Sequence, residues 1–275
     1  DKSVIQYKEL VDAIKKNPLP VQEKHKQLTI SLKPSMFSTR APEANGRFDR
    51  DELTKAFKRI LEVVDYAREN GLNVTLEAED HRWTDFHLDT YFKIIDQGYE
   101  NFGTVLQSRL FRTARDIKNF DSRMRTRLVI GIYNEPETIA LTDKSRMKEL
   151  LVEYARELLR KGVYVEIATH DLHCIDSFIK DVVIPDKVAP DLFEFQFLHG
   201  VPRDEIQESL SDGTYFDGVE ETGDYINSLK EKGLLIRKYL PFGVASVAGA
   251  YCRRRLKENP NMITYGIKNL FGYKF

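Results

Sequence analysis

Short apolar runs alternate with longer amphipathic stretches along most of the chain, and this alternation limits the fold more than any other feature. The runs are QLTISL (27–32), NVTLEA (73–78), GTVLQS (103–108), TRLVIG (126–131), VYVEIA (163–168), LFEFQFL (192–198) and LLIRKYL (234–240). Most are nearly continuous in apolar residues, as strands of a parallel sheet covered on both faces should be. The stretches between them read as helices. Leu53, Ala56, Phe57, Ile60, Leu61 and Val64 form a stripe of 3.6-residue period within Arg50–Asn70, and Gly71 follows as a stop. Leu88–Gln97, Lys144–Lys161, His173–Lys180 and Asp224–Lys232 repeat the scheme, and RKG and EKG again set a cation and then glycine at a helix end.

Seven strand-then-helix units predict an α/β protein built as a (β/α)8 TIM-like barrel. The eighth strand falls on MITYGI (262–267), a stretch that a helix also fits. Residues 1–275 are expected to form one barrel domain, with residues 1–26 as an N-terminal helical extension. A single barrel commonly takes about 250 residues, so the length asks for no second domain. The rival is a doubly wound open sheet, but no G-x-G-x-x-G follows any strand, which removes its commonest nucleotide site.

The formal net charge of −1 gives no bulk attraction to nucleic acid or to an anionic membrane. Cys174 and Cys252 stand far apart, in no metal-ligand spacing, and are expected to be free thiols in a reducing compartment. No apolar run approaches the ~20 residues of a membrane span. The start, DKSVIQYKELVDAIKKN, lacks a signal peptide's hydrophobic region. A cytoplasmic location is expected.

Active-site groups of a barrel stand at the C-terminal ends of its strands. That rule gathers Lys33, Glu77, Glu79, Gln107, Arg127, Tyr133, Thr169, His170, Leu198, His199, Gly200 and Tyr239. Several have a plainer use. Lys33 before Pro34 fits a snorkelling strand-end cation, and Gln107 a hydrogen-bonded barrel glutamine. Glu77 sits inside an apolar strand, so it needs a polar cavity or a partner, and Arg127 reads as a paired interior charge. His81 and His87 are placed at the surface, and the lone Trp83 is assigned to packing. The strand ends carry mostly cations and amides, which disfavours a divalent metal.

One segment stands apart: KYLPFGVASVAGAYCRRRLKENPN, Lys238 to Asn261. It has the form of a strand, a tight Pro-Phe-Gly turn and a helix that carries Arg253, Arg254 and Arg255 to one end of the sheet. An arbitrary RRR is more often a solvated helix face, and Arg254 with Glu258 could simply be an i, i+4 helix pair. Yet YLPFG followed by AYCRRRLKENP resembles the signature of the proline dehydrogenase family, Y-x-P-x-G and then Y-x-x-R-R-L-x-E-N. The likeness continues through ISLKPS, LEAEDH, VLQS, RLVIGIYNEPETIALTD, VEIATHD and FEFQFLHG. These match, in order, the family's first six strand motifs from about residue 28 onward.

The resemblance implies a distorted (β/α)8 barrel that binds FAD at the strand ends, with the arginine-bearing last helix near the C-terminal face. It implies an oxidoreductase that takes L-proline, or a close cyclic amino acid, to Δ1-pyrroline-5-carboxylate, the first step of proline catabolism. Hydride would pass to FAD and electrons to a quinone, with peripheral contact at the inner face of the membrane. Arg254 and Arg255 would clamp the substrate carboxylate, a task suited to guanidinium forks. Lys33 and Glu258 would complete the charged pocket, with Leu198, Tyr239 and Tyr251 around the ring. Glu77 and Arg127 take catalytic places, Arg127 as a cation beside the flavin's reactive centre. Ala78, Gln107, Ile130, Gly131, Ile132, Thr169 and His170 would join Arg127 in holding the cofactor. No metal is expected.

Three departures from the family pattern bear on flavin affinity and substrate. Glu77 replaces an aspartate, Ile130 the lysine of the K-G motif, and Arg109 a tyrosine. The alternative to an active enzyme is therefore a catalytically weakened barrel paralogue that binds an amino acid without turnover.

Overall fold

The computed structural model describes residues 2–17, 27–40, 42–43 and 49–240. The expected eighth strand (262–267) and the expected site residues Tyr251, Arg254, Arg255 and Glu258 lie outside these residues. The chain divides into two compact units, Asp1–Glu166 and Ile167–Phe275.

The first unit opens with α1 (Lys2–Lys16), then β1 (Thr29–Leu32), α2 (Arg50–Glu69), β2 (Asn73–Leu76), α3 (Thr84–Ile95) and β3 (Phe102–Gln107). A single turn, α4 (Thr113–Asp116), precedes β4 (Arg125–Val129) and α5 (Lys144–Arg160). β1 to β4 pair in parallel in sequence order, with Ile30 opposite Val74, Thr75 opposite Gly103 and Val105 opposite Arg127. β5 (Tyr164–Ala168) straddles the division between the units. All seven expected strands are present, each within two residues or so of its predicted ends.

Aspartates start the helices. Asp49 accepts the amide N–H of Asp51 at 2.9 Å before α2, and Asp143 that of Ser145 at 2.8 Å before α5, satisfying donors that a helix N-terminus leaves open. α2 buries Ala56, Ile60, Val63, Val64 and Ala67, close to the stripe read from the sequence. Fully burying one isoleucine or valine side chain of this set contributes about 1.5–3 kcal/mol. α3 sets Tyr91 against Phe102 and Phe120, with ring centroids 5.8 and 5.7 Å apart. α1 lies on α2, tied by Tyr66 Oη donating to Asp12 at 2.7 Å and by Lys8 Nζ to Glu62 at 2.7 Å.

Strand pleating sorts the residues of β3. Phe102 and Thr104 meet Tyr91 and His87 of α3, so that face carries the helices. Gly103, Val105 and Gln107 therefore turn to the opposite face, together with Arg125 and Arg127 of β4. His87 corrects the sequence expectation: it is 2% exposed, not at the surface. Its Nε2 lies 2.6 Å from Thr104 Oγ1 and 3.2 Å from the Leu76 carbonyl, and burial pushes its pKa down to about 4. Trp83 is buried beside Phe86, as its packing assignment required.

The second unit holds α6 (Leu172–Phe178), β6 (Phe193–Leu198), α7 (Asp204–Asp212), α8 (Asp224–Lys232) and β7 (Ile236–Tyr239). β6 and β7 are parallel, with Gln196 opposite Arg237 and Leu198 opposite Tyr239. Phe193 and Phe195 pack edge-on against Phe178 of α6, leaving Glu194, Gln196 and Leu198 on the other face. Asp171 caps α6 by accepting the Cys174 amide N–H at 2.9 Å. Cys174 is a buried free thiol.

Candidate active site

In the first unit the expected residues gather at the C-terminal ends of β2, β3 and β4. Arg127 is 6% exposed, and its Nη1 donates to Glu77 Oε1 at 2.5 Å. Its Nε also lies 3.5 Å from Glu166 Oε2. Two carboxylates on one guanidinium explain how β4 can hold a cation among Leu128, Val129 and Ile130. A charge taken out of water without such partners would cost several kcal/mol.

Gln107 ends β3 and is 3% exposed. Its Nε2 donates to the Glu79 carbonyl at 2.9 Å, while its Oε1 is buried with no hydrogen-bond partner. Buried carbonyl oxygens are nearly always paired, so this acceptor faces a place for a donor. Gly131, just past β4, adjoins it. A Cβ there would lie 2.4 Å from Gln107 Oε1 and 2.8 Å from Arg109 Cδ, and the backbone φ of +92° is one that glycine alone takes readily. Gly131 thus keeps open the space in front of the glutamine oxygen. A flavin ring system, which offers a ring N–H donor as well as acceptors, suits that arrangement.

Arg109 flanks the same space. Its backbone N–H donates to the Ile130 carbonyl at 3.2 Å, and its Nη1 donates to the Tyr133 carbonyl. Its Nε is buried with no hydrogen-bond partner, and no carboxylate among the described residues pairs with it. Ile130 and Ala78 are half-buried, and Ile132 is 42% exposed.

Lys33 follows β1 and is half-buried. Near it, Glu79 accepts the Ser35 amide at 2.7 Å and the Ser35 hydroxyl at 2.8 Å. Burial raises the Glu79 pKa, against the Ser35 hydrogen bonds and the attraction of Lys33, which pull it down. Tyr7 of α1 stacks on Phe37 with centroids 5.5 Å apart, and burial pushes its phenol up to about 12 despite a hydrogen bond with the Lys33 backbone. His81 and Glu135 brace the loops above the strands, with Nδ1 2.5 Å from Oε2.

In the second unit Thr169, His170, Leu198 and Tyr239 come together at the ends of β5, β6 and β7. The Leu198 amide N–H donates to His170 Nε2 at 3.2 Å, which leaves the proton of the neutral ring on Nδ1. Arg203 Nε donates to the His170 carbonyl at 2.9 Å, and Thr169 Oγ1 accepts the Asp171 amide at 3.1 Å. The Tyr239 carbonyl accepts the His199 amide at 2.9 Å. A cavity of about 140 Å³ opens beside Leu198, His199, Gly200 and Lys238.

Sequence reasoning missed the partners. Arg125 and Glu166 form a buried pair, and Glu194, fully buried, receives Arg237 Nε at 2.6 Å and Nη2 at 2.8 Å. The signal was present: each is a charge at alternate positions of an apolar run, in MRTRLV, VYVEIA, FEFQFL and LLIRKYL. A larger cavity, about 530 Å³, lies at the other ends of the strands, beside Asn73, Arg123, Arg125 and Tyr164, and so does not coincide with this site. Among the described residues no helix is long and apolar enough to cross a membrane, and no cluster of three or more His, Cys, Asp or Glu could hold a metal ion.

Comparison with solved structures shows the fold. The chain is similar to proline utilization A (PutA) from Bdellovibrio bacteriovorus, inactivated by N-propargylglycine, with a TM-score of 0.73 at 20% identity over 93% of this chain and 28% of that one. A PutA variant from Bradyrhizobium japonicum gives 0.69 at 21% identity over 93% and 26%. The α/β architecture is therefore that of a TIM-like barrel. Among sequences, Proline dehydrogenase from Deinococcus radiodurans is 31% identical over 76% of this chain and 60% of its own length. Proline dehydrogenase 2 from Bacillus subtilis is 34% identical over 80% of this chain and 65% of its own length. The chain thus spans somewhat under two thirds of these relatives. The pattern described as proline dehydrogenase matches residues 1–264, and the chain belongs to the proline dehydrogenase family.

Proposed function

We propose that this chain oxidises L-proline, or a close cyclic amino acid, to Δ1-pyrroline-5-carboxylate, with FAD as cofactor and a quinone as the onward electron acceptor. The observation that carries the reading is the constellation Glu77, Arg127, Gln107 and Gly131, found at strand ends in a member of this family. Bound there, FAD would supply the two-electron acceptor for hydride from the ring carbon next to nitrogen. The protein's own residues do the rest. Gln107 Oε1 accepts a hydrogen bond from the cofactor, and Gly131 leaves the room for it. Arg127 holds positive charge beside the reacting centre, with Glu77 fixing its direction. Thr169 and His170 add hydrogen bonds, and Ala78, Ile130 and Ile132 line the cofactor.

Lys33, Leu198, Tyr239, Tyr251, Arg254, Arg255 and Glu258 would form the substrate pocket. The two arginines would take the carboxylate as a bidentate anion. In this reading residues 1–275 are one barrel domain with residues 1–26 as an extension, and a membrane quinone calls for peripheral contact with the inner face of the membrane.

Colour tests the proposal. The purified protein, incubated with FAD and desalted, should stay yellow and bleach when L-proline is added without oxygen. A yellow protein that binds proline but does not bleach is the paralogue without turnover. A protein that takes up no flavin overturns the reading.

A further inference from the structure

Four charges alternate on the face of the sheet turned away from the helices: Arg125 and Arg127 of β4, Glu166 of β5, and Glu77 just past β2. Arg125 Nε lies 3.1 Å from Glu166 Oε1, with Nη2 on the same oxygen. The other oxygen, Oε2, lies 3.5 Å from Arg127 Nε, and Arg127 Nη1 reaches Glu77. Glu166 is 1% exposed, Arg125 7% and Arg127 6%. Each oxygen of one buried carboxylate thus serves a different arginine. Room for this is built into the neighbouring strand. A Cβ on Gly103 would lie 3.0 Å from both Cγ and Nε of Arg125, so any side chain there presses the arginine off its carboxylate. The Tyr164 ring adds a face, 6.0 Å from Arg125 Cζ.

We propose that Glu166 is a positioning residue for Arg127, and that Arg125 sets how much of the Glu166 charge Arg127 receives. A guanidinium is planar and offers its donors at fixed edges. Glu166 on the Nε edge and Glu77 on Nη1 together define the plane in which Arg127 lies. Glu77 alone would fix one direction and leave rotation about it. Because the site is dry, the Glu166 charge is felt strongly at Arg127, and Arg125 draws part of it away. The effective positive charge that Arg127 presents is therefore a balance struck by Glu166 and Arg125. This inference rests on the reading of Arg127 as a flavin-facing cation.

Two measurements test it, one of them independent of flavin. In apo protein labelled with 15N at arginine, the Nε–H signal of Arg127 is assigned by its disappearance in Arg127→Lys. Glu166→Gln should speed its exchange with solvent roughly tenfold or more, as the loss of a contact of moderate strength would. Glu166→Asp, which keeps the charge, should restore part of the protection. In the FAD-loaded protein, Glu166→Gln should raise the midpoint potential of the bound flavin, since Arg127 is then less neutralised. Arg125→Met should lower it, since Glu166 then serves Arg127 alone. Gly103→Ala should act in the same direction as Arg125→Met, and it stands in should that variant fail to fold. General damage would move all variants the same way, so opposite signs are the signature. Unchanged exchange in Glu166→Gln, or potential shifts of one sign, overturns the inference. A wild-type protein that takes up no FAD overturns the proposed function instead, and the exchange measurement still decides the role of Glu166.

Discussion

Arg127 Nη1 and Glu77 Oε1 stand 2.5 Å apart at the ends of β4 and β2, on a guanidinium that is nearly buried and a carboxylate that is only partly so. The pair is asymmetric. Glu77 keeps some access to water, whereas Arg127 has none to spare and depends on its carboxylates.

Removing the two partners should therefore cost different amounts. Arg127→Met leaves Glu77 and buried Glu166 without their shared cation, a loss of about 3–5 kcal/mol. Glu77→Gln keeps an oxygen acceptor for Nη1 and should cost less than half of that. Urea unfolding of both single variants and the double variant gives the coupling. Additivity to within about 0.3–0.5 kcal/mol would mean that the two side chains do not act on each other.

Gly131→Ala should damage cofactor binding more than folding. Its Cβ would enter the space 2.4 Å from Gln107 Oε1 and 2.8 Å from Arg109 Cδ, on a backbone at φ +92°. The strain costs roughly 1–3 kcal/mol, and both neighbours must turn aside. FAD titration should show an affinity lowered by about tenfold or more, as follows from a loss of 1.4 kcal/mol. Unaltered FAD affinity in a folded variant would move the flavin away from Gln107.

His87 should make stability depend on pH. Its pKa is about 4 in the folded chain, chiefly through burial, with Arg112 lowering it further and the Leu76 carbonyl and Glu77 opposing. The unfolded chain has a histidine of ordinary pKa, about 6.5, and so takes up the proton first as pH falls. The contribution of neutral His87 is then fully present above about pH 6.5, declines as pH falls and levels off below about pH 4. The total is about 3 kcal/mol. Urea unfolding at several pH values between about 7 and 5 should show this slope in the wild type and lose it in His87→Gln. The same slope in both proteins would assign the effect to another group.

The seven strands were legible because strands buried on both faces must be apolar at almost every position, and TRLVIG or VYVEIA has few other uses. α7 was not, since DEIQESLSD offers only Ile206 and Leu210 to a core. His87 was misplaced because its polarity was weighed without its spacing. His87, Tyr91 and Ile94 fall on one side of α3, and that side is buried. Glu77 and Arg127 could be recognised singly as charges needing partners. Their pairing could not, because it depends on strand register, nor the sharing of Glu166, which depends also on the empty Cβ position at Gly103 beside Arg125. The proposed carboxylate clamp, Arg254 and Arg255, is legible only through the family resemblance, as it falls outside the described residues.

Ile130 and Arg109 stand where the family pattern has lysine and tyrosine. Ile130 brings no charge to the strand end. Arg109 is hydrogen-bonded through its backbone N–H to the Ile130 carbonyl, and its side chain runs past the missing Cβ of Gly131. It has a carbonyl for Nη1, a buried Nε without a hydrogen-bond partner and no carboxylate partner among the described residues. Such a cation is suited to an anionic or acceptor group of the cofactor, and it can stand in for the lysine. Arg109→Ala should then lower FAD affinity about ten- to hundredfold, the worth of one charge-assisted hydrogen bond at roughly 1.5–3 kcal/mol. Ile130→Lys should add little to the wild type and should recover part of the loss when combined with Arg109→Ala. Titration of FAD into the four apo proteins separates the cases. If Ile130→Lys alone raises affinity strongly and Arg109→Ala leaves it unchanged, the cation is missing rather than moved. If all four bind FAD equally, neither residue meets the cofactor, and the flavin does not lie at the end of β4.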